Sequence, residues 1–205
     1  MSLIVGIDAS RNRSGGAKAH IIGILTEFDS LKYDIKEIHI WSYRSLLDQL
    51  PNFPWLVKHN PIELEQSLFK QLLWQATSLA GEAKLIDCDI LFNSSAITLC
   101  RFEPMVVLSQ TMISYEPGIA QYYGYGLARF RLLVIHLLQN IALRRANGVI
   151  FLSLYAGKII EKSCGTLHRV SYIPHGVNDA FKVAKKMTKW PSHKERSVRC
   201  VYVSN

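Results

Sequence analysis

Gly15 and Gly16 stand a few residues past a short apolar run that ends in Asp8, with Arg11, Arg13, Lys18 and His20 around them. Adjacent glycines before a helix let the backbone approach a ligand, and the free N–H groups at the helix start attract an anion. That chemistry suits an anionic ligand. The pattern is neither Gly-x-Gly-x-x-Gly nor a Walker loop, which argues against nicotinamide and P-loop chemistry. A plain strand–helix turn would carry the same two glycines.

Four more segments carry reactive or ligand-binding groups. Gln110 follows the apolar run Met105–Ser109, Glu116 comes six residues later, and Tyr115, Tyr122, Tyr123 and Tyr125 surround that glutamate in sequence. Tyrosine faces beside a carboxylate suit a polyhydroxylated ligand, which packs a ring face and hydrogen-bonds the acid. The length of this loop also favours function. Ser153 places a hydroxyl at the start of a helix, where capping preference alone explains a serine. His175, in Pro174-His175-Gly176, serves either a ligand or a hydrogen bond in a hinge. Asn93-Ser94-Ser95 is a polar run of the kind most loops contain.

Each of these groups directly follows a segment that reads as a strand. Apolar runs at Ser2–Asp8, Ile35–Trp41, Phe53–Lys58, Cys88–Phe92, Met105–Ser109, Gly148–Leu152 and Arg169–Ile173 are short enough for buried strands. Helical spacing marks Ala17–Phe28, Glu63–Lys84, Tyr125–Arg145 and Tyr155–Ser163. Strands alternating with helices imply an α/β, Rossmann-like parallel sheet covered on both faces, with its ligand site at the carboxyl ends of the strands. In Tyr125–Arg145, Arg129, His136, Asn140 and Arg144 form one polar stripe, while Leu127, Phe130, Leu133, Val134, Leu137, Leu138 and Ile141 form the other face. The expectation is that the apolar face packs on the sheet. A helix lying on a membrane surface has a similar pattern with basic residues.

Composition narrows the class. At 205 residues, 49% apolar and 20% charged, the chain has room for one well-packed domain and is not of disordered composition. Cys88, Cys100, Cys164 and Cys200 are far apart with no Cys-x-x-Cys pair, so neither a zinc site nor a disulfide framework is expected, and a reducing cytosol suits them. Leu3–Ile7 lacks the basic flank and the length of a secretory signal. The net charge of +8 is concentrated between Lys182 and Arg199, where seven Lys/Arg face one acid, Glu195. A nucleic-acid footprint is a patch on the folded domain, so no nucleic-acid partner is expected. A solvated linker, or contact with anionic lipid headgroups at about 1 kcal/mol per basic residue, accounts for such a tail.

The segments Gly15-Gly16-Ala17 with His20, Ser109-Gln110-Thr111, Ala146-Asn147-Gly148-Val149-Ile150-Phe151-Leu152-Ser153 and Ile173-Pro174-His175-Gly176-Val177-Asn178 occur in this order, after the Asp-containing first strand. Together they resemble the amino-terminal, acceptor-side half of a GT-B retaining glycosyltransferase of the family-four type, in the group that builds bacterial cell-surface polysaccharides. The resemblance covers nearly the whole chain and is strongest from Asp89 to Phe181. Thr111 stands where the family often has Asn, and Asn93-Ser94-Ser95 where it usually has a Pro-Gly-rich loop; both positions bear on acceptor identity.

The resemblance implies transfer of a sugar from a nucleotide-sugar donor to a lipid-linked glycan acceptor, with retention and without metal or other cofactor. It places Gly15 and Gly16 at the donor diphosphate and His20, Gln110, Glu116, Ser153 and His175 along the acceptor cleft, and it assigns no catalytic residue. The location implied is cytoplasmic, peripheral at the inner face of the cytoplasmic membrane. The family's donor-binding half carries two glutamates eight positions apart, and no two glutamates here have that spacing. The expected organisation is therefore an amino-terminal domain over 1–181, a basic linker over 182–196, and at 197–205 the first strand of a donor domain that is not in the sequence. The alternatives are one subunit of a split, two-chain transferase and a non-catalytic remnant.

Overall fold

Seven strands form one sheet, and every neighbouring pair in it is parallel. The computed structural model describes residues 2–13, 15–30 and 32–176. The chain divides into a unit at Met1–His175, to which the sheet belongs, and a second at Gly176–Asn205. The expected linker, the expected last strand and Cys200 lie outside the described residues.

The strands are β1 (Leu3–Asp8), β2 (Ile35–Trp41), β3 (Leu56–His59), β4 (Ile90–Asn93), β5 (Met105–Ser109), β6 (Gly148–Phe151) and β7 (Val170–Tyr172). Their order across the sheet is β3-β2-β1-β4-β5-β6-β7. The chain winds outward from β1 to β3, returns to pair β4 with β1, and winds outward again to β7. Right-handed crossovers place the connections of these two runs on opposite faces, so both faces are covered. The expected α/β architecture is the one observed. The main helices are α1 (Gly15–Glu27), the short α2 (Arg44–Leu47), α3 (Leu68–Thr77), α4 (Leu79–Leu85), the single-turn α5 (Ile119–Tyr122), α6 (Leu127–Arg145) and α7 (Leu154–Cys164).

Two apolar clusters hold the sheet. One joins Ile7, Ile38, Ile40 and Leu91 of the strands to Ile21 and Leu25 of α1 and to Trp74 and Leu79 of α3 and α4. The other joins Met105, Val107, Val149 and Phe151 to Leu143 of α6 and Ile160 of α7. Burying a large apolar side chain contributes about 1.5–3 kcal/mol, and the order of apolar runs along the chain dictates this much of the fold.

Two expectations need correction. The single helix read over Glu63–Lys84 is a 3-10 turn at Ile62–Glu65 followed by α3 and α4. Gln66 and Ser67 are extended, and Ser78 separates the two helices. Thr77 Oγ1 donates to the Leu73 carbonyl at 2.8 Å, a side-chain bond that competes with helix continuation.

The second correction concerns α6. Phe130, Leu133, Val134, Leu137 and Ile141, the face expected on the sheet, are exposed, while Leu132, Gln139, Ala142 and Leu143 are buried. Three members of the polar stripe, His136, Asn140 and Arg144, reach protein groups. His136 Nδ1–H donates to the Ser114 carbonyl at 2.9 Å, leaving its Nε2 for the Ser163 hydroxyl at 2.9 Å. Asn140 Oδ1 accepts from Tyr115 at 2.8 Å, and Arg144 Nε donates to the Cys164 carbonyl at 2.8 Å. Beside the stripe, Gln139 Nε2 donates to the Thr111 carbonyl at 3.2 Å, and its Oε1 accepts from the Ser114 hydroxyl. The irregular backbone at 111–115 must find partners, and this side of α6 supplies them.

Candidate functional site

The parallel sheet brings every strand's carboxyl end to one edge, and the order reverses between β1 and β4. Loops leaving a sheet at such a point part and form a crevice. Beneath them lies Asp8, the last residue of β1 and almost fully buried. Its carboxylate accepts from Gln75 Nε2 at 2.5 Å, Asn93 Nδ2 at 2.9 Å and the Ser10 amide at 3.0 Å. The Ser94 hydroxyl lies 2.8 Å from the Asp8 carbonyl and 2.5 Å from Asn12 Oδ1, and Asn12 Nδ2 donates to the Ala17 carbonyl at 2.9 Å. Burial makes each partner necessary, and the network ties the β1 loop, the β4 loop and the start of α1 together.

Gly15 enters α1 at φ +61°, in the left-handed region where glycine carries no Cβ penalty. Gly16 has no such constraint: a Cβ there would meet no atom within 4 Å, so the space above it is open. Of the nearby cations, Arg13 donates to the Leu64 carbonyl at 2.6 Å and lies over the Tyr43 ring, and Lys18 donates to the Ser45 carbonyl at 3.2 Å. Arg11 is drawn below its ordinary pKa first by burial and then by Arg13 and Arg131, with Asp8 opposing. Ser10, Arg11 and Arg13 line a cavity of about 300 Å³ with Gln66, Leu68 and Gln71.

Three of the expected site residues meet. Gln110 Nε2 lies 3.4 Å from His20 Nδ1 and donates to the Ser94 carbonyl at 3.3 Å, while the His175 ring stands edge-on to His20 at 4.3 Å between centroids. They come from α1, the end of β5 and the segment after β7. Glu116 is in a second group, where it accepts from the Tyr155 hydroxyl at 3.3 Å. Among the described residues, no hydrogen bond or ring contact joins that group to His20. Ser153 caps α7, its hydroxyl accepting from the Ala156 amide at 3.2 Å, as capping preference alone would have it.

Tyr115 departs from the expectation of a ligand-facing tyrosine. It is buried, its hydroxyl is held by Asn140, and burial raises its pKa above the ordinary value, with Cys164 adding to the shift. Tyr122, Tyr123 and Tyr125 are exposed. The sequence reading missed Asp8, Asn12, Ser94 and Gln75 as the support beneath the loops. The signal was the Asp-Ala-Ser-Arg-Asn run after an apolar strand, too common in turns to be decisive. Cys88, Cys100 and Cys164 are free and buried. Among the described residues, no group of three or more His, Cys, Asp or Glu side chains could hold a metal ion.

Solved structures share this architecture. Sucrose-phosphate synthase from Thermosynechococcus elongatus superposes with a TM-score of 0.56 at 11% identity, over 86% of this chain and 49% of that one. HepE of Anabaena, in complex with UDP and glucose, superposes with a TM-score of 0.51 at 14% identity, over 87% of this chain and 45% of that one. The fold resembles one Rossmann-like half of GT-B glycosyltransferases. A second structure of the synthase is matched by this chain over 90% of its length, with a TM-score of 0.51 at 9% identity. The chain spans about half the length of the first two structures. The sequence matches no protein-family model and no curated protein.

His20 also bears on pH dependence. Burial first, and then the neighbouring His175, holds its pKa below the ordinary 6.5. His59 is depressed likewise by burial and by His39, with Glu82 opposing. Below that pH the unfolded chain takes up protons that the folded chain refuses, so stability falls on acidification. Melting temperatures measured from about pH 7.5 down to about pH 5.5 should decrease, and the decrease should be smaller in a His20→Gln/His59→Gln variant. An equal decrease in the variant would refute this assignment.

Proposed function

We propose that this domain is the acceptor-side half of a glycosyltransferase that moves a sugar from a nucleotide-sugar donor to a lipid-linked glycan, in the synthesis of a bacterial surface polysaccharide. The observation that carries the reading is the convergence of His20, Gln110 and His175, from three separate segments, at the carboxyl edge of a GT-B-like sheet. HepE, which shares the architecture, is seen with UDP and glucose, and that pairing supports a nucleoside diphosphate sugar as the donor here. In this reading the open backbone at Gly16 and the start of α1 face the donor diphosphate. There, oriented amides and the Arg11 charge stabilise the leaving group, the main electrostatic task in such a transfer. Gln110 and His20 orient acceptor hydroxyls. Glu116 with Tyr155 forms a second contact further along the acceptor. Transfer proceeds with retention, and the nucleotide-binding half lies in the same polypeptide or in another chain.

The test is genetic and chemical. Cell extracts with the gene intact or deleted are supplied with radiolabelled nucleotide sugars, and label in the organic-phase glycolipids is counted. Label should enter only with the gene intact and be restored by the wild-type chain. A His20→Ala/Gln110→Ala chain should restore about a hundredfold less, the scale expected when a reactant loses its positioning. Equal incorporation with and without the gene would overturn the proposal.

A further inference from the structure

The solvent face of α6 asks for a partner. Phe130 is 66% exposed, Leu133 54%, Leu137 59% and Ile141 41%. At spacings of three and four residues they make one continuous apolar stripe along the helix, with Val134 inside it and Leu127 at its start. Contiguous exposed apolar surface of this kind marks an interaction site.

Charge selects the partner. From Pro117 to Arg145 the chain carries four arginines and no carboxylate. Arg131 is exposed beside the stripe, Arg144 is exposed while its Nε stays on the Cys164 carbonyl, and Arg129 lies over the Tyr125 ring at 4.8 Å. Tyr122 and Tyr125, 88% and 100% exposed, lead into the helix. A second copy docked about a two-fold axis would bring arginines against arginines, with no carboxylate on the helix to pair them. An anionic bilayer meets every element at once: acyl chains take the stripe, headgroup phosphates take the arginines, and tyrosines settle at the boundary between them.

We propose that α6, with Tyr122 and Tyr125, is a surface that lies on an anionic membrane in the plane of its headgroups. No described helix is long and apolar enough to cross a membrane, so the contact is peripheral. This inference does not rest on glycosyl transfer: a chain that transferred nothing would bind lipid in the same way, and loss of lipid binding would leave the transfer reading standing.

The experiment is flotation of the full chain with vesicles of phosphatidylglycerol and phosphatidylcholine, against vesicles of phosphatidylcholine alone. Binding should require the anionic lipid and weaken with salt. Phe130→Ser/Leu137→Ser changes exposed positions only and should keep the wild-type circular dichroism and melting temperature while losing vesicle affinity by about tenfold or more. Arg131→Gln should cost about fivefold on anionic vesicles. A fluorophore on Leu137→Cys should be quenched by spin-labelled lipid. Unchanged flotation of the double variant would assign binding to the basic segment between Lys182 and Arg199 and overturn the proposal. So would no flotation of the wild type, or a wild-type dimer that the double variant abolishes while lipid binding is unchanged.

Discussion

Asp8→Ala is expected to lower the free energy of unfolding by about 3–5 kcal/mol, the scale for removing one partner from a buried charged network. Its carboxylate is the shared acceptor for Gln75 Nε2, Asn93 Nδ2 and the Ser10 amide, none of which has access to bulk water. Removing it leaves buried donors unpaired, each costing about 1–3 kcal/mol. For a chain of this size the melting temperature should fall by about 6–20 °C. Asp8→Asn keeps one acceptor oxygen and should lose less. The consequence would reach the crevice, because Gln75 Oε1 also accepts from the Leu99 amide at 3.1 Å and Ser94 bridges Asp8 to Asn12. Urea and thermal unfolding measure the effect. An Asp8→Ala loss under about 1 kcal/mol would mean that water replaces the carboxylate and that the network does not support the loops.

The second large effect is expected at Trp41. It is fully buried, stacks on His59 at 4.8 Å, and donates its indole N–H to Glu82 Oε2 at 2.7 Å. Glu82 Oε1 accepts from the Trp74 indole at 2.8 Å, so one carboxylate on α4 joins β2 to α3. Trp41→Ala should cost about 3–5 kcal/mol through the cavity and lost contacts. Trp41→Phe keeps most of the volume but removes the donor, and should cost about 1.5–3 kcal/mol, the value of a hydrogen bond to a charged group. Equilibrium unfolding in urea ranks the two. A phenylalanine variant within about 0.5 kcal/mol of wild type would rule out the indole–carboxylate bond as a support for this part of the sheet.

Much of the architecture was legible because it rests on local pattern. Short apolar runs separated by helical spacing give seven strands within a few residues of their observed bounds, and buried runs of that length pair in parallel. The candidate cluster was legible in part. His20, Gln110 and His175 were each marked as unusual residues following a strand or opening a helix, and parallel strands send all such residues to one edge. Glu116 was marked too, but it meets Tyr155.

What the sequence could not determine is where competing demands are settled. A helical wheel for Leu127–Arg145 shows an apolar face and a polar stripe but not which one the protein will use. Apolar burial ordinarily decides, and here the backbone carbonyls at 111, 114 and 164 take their donors from the polar flank of α6. Tyr115 went inside for the same reason. Its hydroxyl found Asn140, and its ring could then be buried without an orphaned polar group. The meeting of His20 with Gln110 and His175 is likewise a product of strand order. The β1–β4 pairing brings together segments that are remote in sequence, and no spacing rule along the chain encodes that pairing. The strands and the residues at their ends were determined by the sequence; which of those residues share a crevice, and which face of α6 meets water, was decided by the tertiary structure, because only there do buried polar groups compete for partners.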